Sequence, residues 1–441
     1  MSIYTYITEN IILPLGDIAF KSSVVKNLRK WRKIQWLSPT EINQLEQSNL
    51  KSLLHHALNN IPHYKNLNIK EDPDAIVTLS QFPILYKKDI KADFDGFMDP
   101  TQNKEIFIKY MSSGSSGVQS EGFVNRDEDS TSIAIQTLWW EWAGYKMGKP
   151  LIQTGVSLSR GLKKKLKDAL LRVKYVLAFN HYEKDIIQLL HQLNHSKKYY
   201  FAGYASSLFV FSQLAKKEGI NDIKLKSVIS FGDKMFPHYR KSIQEVFGAK
   251  VYDTYGCCEG IMFSGQCEFG NYHIMSPHVH LEIVDKDGKP VPEGTLGYIV
   301  ATRLDGYTMP LIRYYMGDMA VKTASKKLCE CGRGFPMMEQ IIGRDTDIVR
   351  TQKGKYLVVH IFTLIFEQYN TIKQFRVIQK VLENIEIEYI PEPNFELYIL
   401  EEISKRILLN TEPGELKINY TCVDFIPSTP SGKPQIIQSL L

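Results

Sequence analysis

Apolar residues recur along this chain in two rhythms, and the change from one to the other divides it. Between residues 24 and 100 they fall at helical spacing. Leu50–Ile61 (L-K-S-L-L-H-H-A-L-N-N-I) is the clearest case and is expected to end before Pro62, whose ring disfavours helix in the residue ahead of it. The pattern predicts another helix over Asp127–Tyr145, where Trp139, Trp140 and Trp142 are expected to pack in a core, and a basic amphipathic one over Arg160–Lys174. From Tyr199 to Tyr255, strand-like runs (Lys226–Phe231, Lys250–Tyr255) alternate with a helical stretch (His238–Phe247), the texture of an α/β layer. After Ser276 the pattern turns to β: His280–Val284 and Gly297–Thr302 read as a hairpin around Asp287-Gly288. Beyond Gly343 short strands (Phe375–Gln379, Ile385–Ile390) and a helix (Glu396–Leu409) suggest a separate small α+β domain. The expected architecture is α/β: a large domain over 1–343 with layered α/β and β-rich parts, and a C-terminal domain over 344–441.

Composition narrows the class. The 441 residues are 44% hydrophobic and 23% charged, the balance of a globular protein with a sizeable core. The net charge of +6 is the small difference between 54 basic and 48 acidic residues, which argues against a nucleic-acid partner. Six cysteines in this length do not make a disulfide framework, so a reducing, cytoplasmic setting is expected. No run reaches the ~18 apolar residues that span a bilayer. The apolar opening (Ile11, Ile12, Leu13, Pro14, Leu15) reads as a strap packed on the body, with peripheral membrane contact as its alternative, and the basic helix as a solvated face or one for an acidic surface.

The candidate chemistry centres on Lys109–Gly122 (K-Y-M-S-S-G-S-S-G-V-Q-S-E-G). Here Ser112, Ser113, Gly114, Ser115, Ser116 and Gly117 follow the apolar segment Ile106, Phe107, Ile108 and Tyr110, which reads as a strand. Such a turn offers backbone N–H groups and hydroxyls to a phosphate, although a Gly/Ser run is also the composition of an ordinary loop. Downstream come Tyr252-Asp253-Thr254-Tyr255-Gly256-Cys257-Cys258-Glu259, then Arg313-Tyr314-Tyr315-Met316-Gly317-Asp318, then Gly343-Arg344-Asp345-Thr346-Asp347, and finally Pro427-Ser428-Thr429-Pro430-Ser431-Gly432-Lys433.

In this order the motifs resemble those of the adenylate-forming superfamily of acyl-CoA synthetases. The nearest likeness is to phenylacetate–CoA ligases and CapK-type capsule-biosynthesis proteins, with Ala57–Lys65 (A-L-N-N-I-P-H-Y-K) and Phe82–Ile90 (F-P-I-L-Y-K-K-D-I) resembling that branch's N-terminal signatures. The resemblance implies an ATP-dependent ligase that turns a carboxylic acid into an acyl-adenylate and passes the acyl group to coenzyme A. Ser112–Gly117 would hold the β- and γ-phosphates, Tyr255 and Gly256 would line the adenine and acyl pocket, and Gly232 and Asp233 would border it. Glu259 would hold Mg²⁺ and Asp318 the ribose hydroxyls. Arg344 would lie at the hinge of a mobile C-terminal domain that brings Lys433 to the α-phosphate. The sequence departs from the family's pattern at Val118, where many relatives carry lysine, at Cys258, and at Thr346 in the hinge. Alternatives are transfer to an amine or hydroxyl of a sugar or lipid carrier at the inner face of the membrane, or a non-catalytic relative. A homodimer is a branch-level expectation. The acyl pocket is expected around Trp139–Trp142, Gly203-Tyr204-Ala205 and Tyr252–Tyr255.

One set of residues reads as a metal site without reference to the ATP chemistry. Cys329 and Cys331, with Cys267 and His273, offer three thiolates and an imidazole, a donor set suited to tetrahedral zinc. The alternative is free, partly buried thiols. The family resemblance also points to structural zinc in this region, with His278 and His280 as spare ligands.

Overall fold

The computed structural model describes residues 2–111, 121–155, 161–178, 183–194, 196–257, 259–321, 328–338, 340–344, 348–352, 356–366, 368–369, 371–427 and 435–441. The chain forms two compact units, Met1–Met316 with Val321–Gln340, and Gly317–Ala320 with Ile341–Leu441.

The first unit is built on an eight-stranded sheet. Leu151–Gly155, Val173–Leu177, Tyr200–Tyr204, Val228–Phe231 and Val251–Gly256 pair in parallel, with Val173–Leu177 at the edge beside Leu151–Gly155. Parallel neighbours need long crossovers. Helices Leu162–Leu170, Glu183–Leu193, Ala205–Lys217 and Pro237–Phe247 supply them. The opening residues of the central strands are covered on both faces and apolar: Phe201, Ala202, Val228, Ile229 and Val251 are all buried, while buried polar residues (Thr154, Ser230, Asp253) come toward the carboxyl ends. After Gly256 the sheet turns antiparallel through Met262–Gln266, Tyr272–Ile274 and Met337–Met338.

The tryptophan helix runs Arg126–Trp142, started by a capping box between Asn125 and Glu128. All three tryptophans are buried. The Trp139 indole lies where Gly265 leaves room, since a Cβ there would sit 2.5 Å from it. Helix Pro39–Asn60 ends at Ile61, whose extended backbone precedes Pro62 as the sequence implies. Val279–Val284 and Leu296–Arg303 pair antiparallel, as expected of the hairpin. One local expectation is corrected. Lys104–Ile106 is a 3-10 turn, and the strand is Ile108–Met111, paired with Glu121–Val124. The Asn103 side chain accepts the Glu105 N–H at 3.0 Å, a local bond that competes with extended pairing.

In the second unit, Ile372–Val381 and Asn384–Pro391 form an antiparallel pair flanked by the parallel strands Lys417–Cys422 and Ile437–Ser439. Helix Tyr398–Leu408 buries Ile399, Ile403 and Ile407 at helical spacing. Among the described residues no helix is long and apolar enough to cross a membrane.

Candidate functional site

Ligands of open α/β sheets collect outside the carboxyl ends of the parallel strands. Here those ends carry Tyr204, Phe231 and Gly256. Strand Val251–Gly256 leads into the loop holding Glu259, and that loop is fixed on several sides. Gly260 N–H donates to Cys257 O at 3.2 Å, and Cys257 N–H donates to Ile261 O at 3.0 Å. Gly260 has a left-handed backbone (φ +81°) and leaves no room for a side chain: a Cβ would lie 2.3 Å from an Arg303 guanidinium nitrogen and 3.0 Å from the Tyr110 ring. The Ser132 hydroxyl donates to Gly260 O at 3.2 Å. Tyr110 belongs to the strand Ile108–Met111, which precedes Ser112 in the chain, so this strand and the glutamate loop meet.

Glu259 is buried. Its Oε1 accepts a hydrogen bond from the Tyr314 hydroxyl at 3.0 Å and lies 3.6 Å from the Lys87 ammonium. Lys87 and Tyr314 lie within the Phe82–Ile90 and Arg313–Asp318 segments, where the family resemblance implies no role for either. The structure explains how they arrive. Leu85 bridges in parallel to Tyr314, with Leu85 N–H donating to Arg313 O and Tyr315 N–H to Leu85 O, both at 2.9 Å. Arg313 is buried and left-handed (φ +50°). It donates to Phe82 O at 2.9 Å and Gly288 O at 3.0 Å and pairs with both oxygens of Glu282. A fork of fixed donors of this kind is what arginine provides and lysine does not. It pins Phe82–Leu85 against the strand and sets helix Lys87–Ala92, capped by Asp89, beside Glu259.

Behind the loop lies a charged network in which Arg303 and His278 are buried and Asp305 is half-buried. Asp305 accepts from Arg303 Nε at 2.9 Å and from His278 Nδ1 at 2.7 Å, while His278 Nε2 accepts the Met262 N–H at 3.0 Å. The Nδ1 proton of His278 is thereby assigned to Asp305. Burial alone would push the Asp305 carboxyl up, but His278 and Arg303 outweigh it and hold it well below the usual carboxylate range. Glu128 is also buried and takes the N–H groups of Tyr307 and Thr308, each at 2.8 Å; burial pushes its carboxyl up.

The remaining expected nucleotide residues distribute as follows. Tyr255 is half-buried, edge-on to Phe263 at 5.2 Å, and Gly256 is exposed at the strand end. Gly232 is left-handed (φ +81°) and abuts Tyr204, where a Cβ would be 2.5 Å from the ring. Asp233 accepts the N–H groups of Ala205 and Ser206 at 2.5 and 3.2 Å and the Ser206 hydroxyl. It thus holds the N-terminus of helix Ala205–Lys217, a task the sequence reading did not foresee. Asp318, half-buried on strand Tyr314–Val321, belongs with the second unit. Arg344 ends strand Gln340–Arg344, its side chain outside what is described. Ser112, Ser113, Gly114, Ser115, Ser116, Gly117, Cys258 and Lys433 lie outside the described residues.

The structure does bring the Cys/His set together. Ligand atoms of Cys267, His273, Cys329 and Cys331 all lie within 4.8 Å of one another. Cys267 Sγ is 3.7 Å from Cys329 Sγ, and Cys331 Sγ is 3.2 Å from His273 Nε2. Two sulfurs each about 2.3 Å from a tetrahedral zinc stand about 3.8 Å apart. His273 Nδ1 is 3.3 Å from Phe335 O, which can only accept, so the proton sits on Nδ1 and the Nε2 lone pair faces the cluster. Burial pushes the His273 imidazolium down to about 4, leaving a neutral ring. The spare histidines are elsewhere: His278 is bound to Asp305, and His280 Nδ1 to Glu46 at 2.6 Å. Trp142 is buried in the core, as expected. It lies 5.8 Å from His273, under the Arg333 guanidinium at 4.7 Å, and donates to Gln35 at 2.9 Å, so it walls the cysteine cluster.

Comparisons with known proteins agree with this architecture. Residues 348–439 match the family described as the CapK C-terminal domain. The chain is 25% identical over 337 residues to the phenylacetate-coenzyme A ligase of Thermus thermophilus, covering 72% of this chain and 73% of that one. It is 23% identical over 410 residues to the enzyme of the same name from Pseudomonas putida, covering 86% and 90%. Among solved structures, 2-hydroxyisobutyryl-CoA ligase in the postadenylation state with 2-HIB-AMP superposes with a TM-score of 0.72 at 19% identity, over 92% of this chain and 91% of that one. An anthranilate CoA ligase in complex with anthranoyl-AMP gives 0.53 at 16% identity, over 76% and 66%. These matches bear out the resemblance to the adenylate-forming ligases, and the fold is theirs.

Proposed function

We propose that this protein is an AMP-forming ligase that activates a small carboxylic acid with ATP and passes the acyl group to coenzyme A. The observation that carries the reading is the Glu259 loop at the carboxyl end of the parallel sheet, tied to Lys87 and Tyr314 and touching the strand Ile108–Met111 that precedes Ser112–Gly117 in the chain. It is supported by the likeness to ligases whose structures hold acyl-adenylates.

The substrate carboxylate displaces pyrophosphate from the α-phosphorus, and a thiol then displaces AMP from the acyl carbon. Both partners of the first step are anionic, so catalysis must come from fixed positive charge and hydrogen-bond donors. Ser112–Gly117 hold the terminal phosphates, and Tyr255, Gly256 and Gly232 border the adenine and acyl group. Asp318 accepts from the ribose hydroxyls, Arg344 marks the hinge, and Lys433 meets the α-phosphate. Glu259 is the carboxylate suited to a hard cation, and Mg²⁺ bound there would neutralise phosphate charge. Lys87, beside Glu259, orients that carboxylate. The Cys267–His273–Cys329–Cys331 cluster holds a structural zinc: all its donors are protein groups, which leaves no position for substrate.

The CapK C-terminal match supports a second acceptor class, an amine or hydroxyl of a surface-polysaccharide precursor. Pyrophosphate release with aryl, short-chain and amino acids, with and without coenzyme A, tests both. Acid-dependent release abolished in Lys433→Ala establishes adenylation, and acceleration by coenzyme A selects the thiol. No release with any acid, despite ATP binding, refutes the ligase reading.

A further inference from the structure

Two amphipathic segments of the first unit are packed with their apolar faces outward. In the helical stretch 3–20 the hydroxyls face in: Thr5 and Thr8 are fully buried, Thr8 against Gly148, where a Cβ would sit 2.5 Å from its Oγ1. Ile3, Ile7, Ile11, Leu15 and Ile18 face out, with Ile3 81% and Ile18 76% exposed. Helix Leu162–Leu170 repeats the inversion. Leu162, Leu166 and Leu170 stand four residues apart on one side, and Leu162 is 86% exposed. Among this helix's described side chains only Asp168 is half-buried, and Lys164, Lys165 and Lys167 are exposed around the leucines. A helix on a globular protein normally buries such a stripe. The two are neighbours: the Tyr4 hydroxyl donates to Leu170 O at 2.7 Å, and the Arg172 guanidinium lies 4.9 Å from the Tyr4 ring.

This face runs on to the edge of the sheet where the parallel strands begin. Lys149, Arg172, Lys198, Lys226 and Lys250 each stand one or two residues ahead of a parallel strand, and parallel pairing puts all of them at one edge. A shallow depression of about 710 Å³ there is lined by Lys149, Lys197, Lys198 and Lys226. Lys149 donates to Gly144 O and the Tyr200 hydroxyl, and Lys198 lies over the Tyr199 ring; these partners carry no negative charge. Gly232, Asp233, Tyr255 and Gly256 lie at the opposite strand ends.

We propose that this edge docks the protein on an anionic phospholipid bilayer, the isoleucine and leucine stripes entering the interface and the lysine row meeting the headgroups. Apolar side chains beside lysines on helices lying flat are the arrangement such surfaces bind. Charge complementarity selects an anionic plane, because a second copy would bring like charges together. The inference stands independently of the ligase reading.

Co-sedimentation of the full chain with phosphatidylglycerol–phosphatidylcholine vesicles and with phosphatidylcholine alone tests it. Binding is expected to the anionic vesicles and to weaken with salt. Each lysine removed should lower partitioning about fivefold, so Lys164→Gln/Lys165→Gln/Lys167→Gln should lose about a hundredfold. Ile7→Glu/Leu166→Glu should abolish binding. Because these side chains are exposed, an unchanged thermal melt shows that the variants fold. Absence of binding, equal binding to neutral vesicles, or binding indifferent to both sets of substitutions overturns the proposal. So does a dimer in sedimentation velocity that Ile7→Glu/Leu166→Glu dissolves.

Discussion

Lys87 and Glu259, 172 positions apart in the chain, meet with the ammonium 3.6 Å from the carboxylate oxygen that also accepts the Tyr314 hydroxyl. Two positive or donating groups on one oxygen fix the direction of a buried carboxylate, as a phosphate-bridging cation requires. Lys87→Met is therefore expected to reduce kcat/KM for acid-dependent pyrophosphate release by about ten- to a hundredfold. Its melting temperature should change little, because Lys87 is partly exposed. Tyr314→Phe should destabilise the fold by about 1–2 kcal/mol, since it leaves a buried acceptor short of a partner. Kinetics and chemical denaturation of both variants and their combination check this, and a fully additive double variant would refute the coupling.

Gly260 is the position where the loop tolerates least. Gly260→Ala should lower stability by about 1–3 kcal/mol, because an alanine there is strained at φ +81° and meets Arg303. The same change should depress adenylation more than coenzyme A transfer, as it displaces Glu259. Single-turnover measurement of each half-reaction separates the two.

The Asp305 network makes stability depend on acid in a definite direction. Its folded-state carboxyl lies below the unfolded value, so its contribution is present above about pH 4 and is lost as the pH falls through the lower, folded value. Asp305→Asn should cost several kcal/mol at neutral pH by leaving Arg303 buried without its counter-charge. The gap from the parent protein should narrow on acidification. Denaturation series across pH read this out, and a gap that widens in acid would contradict it.

Metal analysis of purified protein should find about one zinc per chain, with three sulfurs and one nitrogen by X-ray absorption. Cys329→Ser or His273→Ala should lose the metal and lower the melting temperature. Zinc-free folded, active protein would remove the site.

Arg313 shows what side-chain chemistry adds to the sheet. Arg313→Lys should loosen Phe82–Leu85 and reduce activity toward the Lys87→Met level, because lysine cannot supply the fork to Phe82, Gly288 and Glu282. Hydrogen exchange over 82–92, faster in the variant, checks the cause.

Much of this molecule was legible in one dimension, for a physical reason in each case. Leu50–Ile61, the alternation from Tyr199 to Tyr255 and the buried face of Tyr398–Leu408 were readable because periodic apolar residues report the local repeat of the backbone. Cys267, His273, Cys329 and Cys331 were readable as a set because few other residue types bind zinc, so their chemistry marked them before their distances were known. What the tertiary structure alone decided are relationships between distant segments. Lys87 reaches Glu259 because Arg313, on a third segment, clamps Phe82–Leu85 in place. Asp233 turns to cap a helix because parallel pairing sets strand Val228–Phe231 beside strand Tyr200–Tyr204. The outward stripes of 3–20 and 162–170 belong here too. Periodicity says that a helix has an apolar face, but only packing says which way that face is turned.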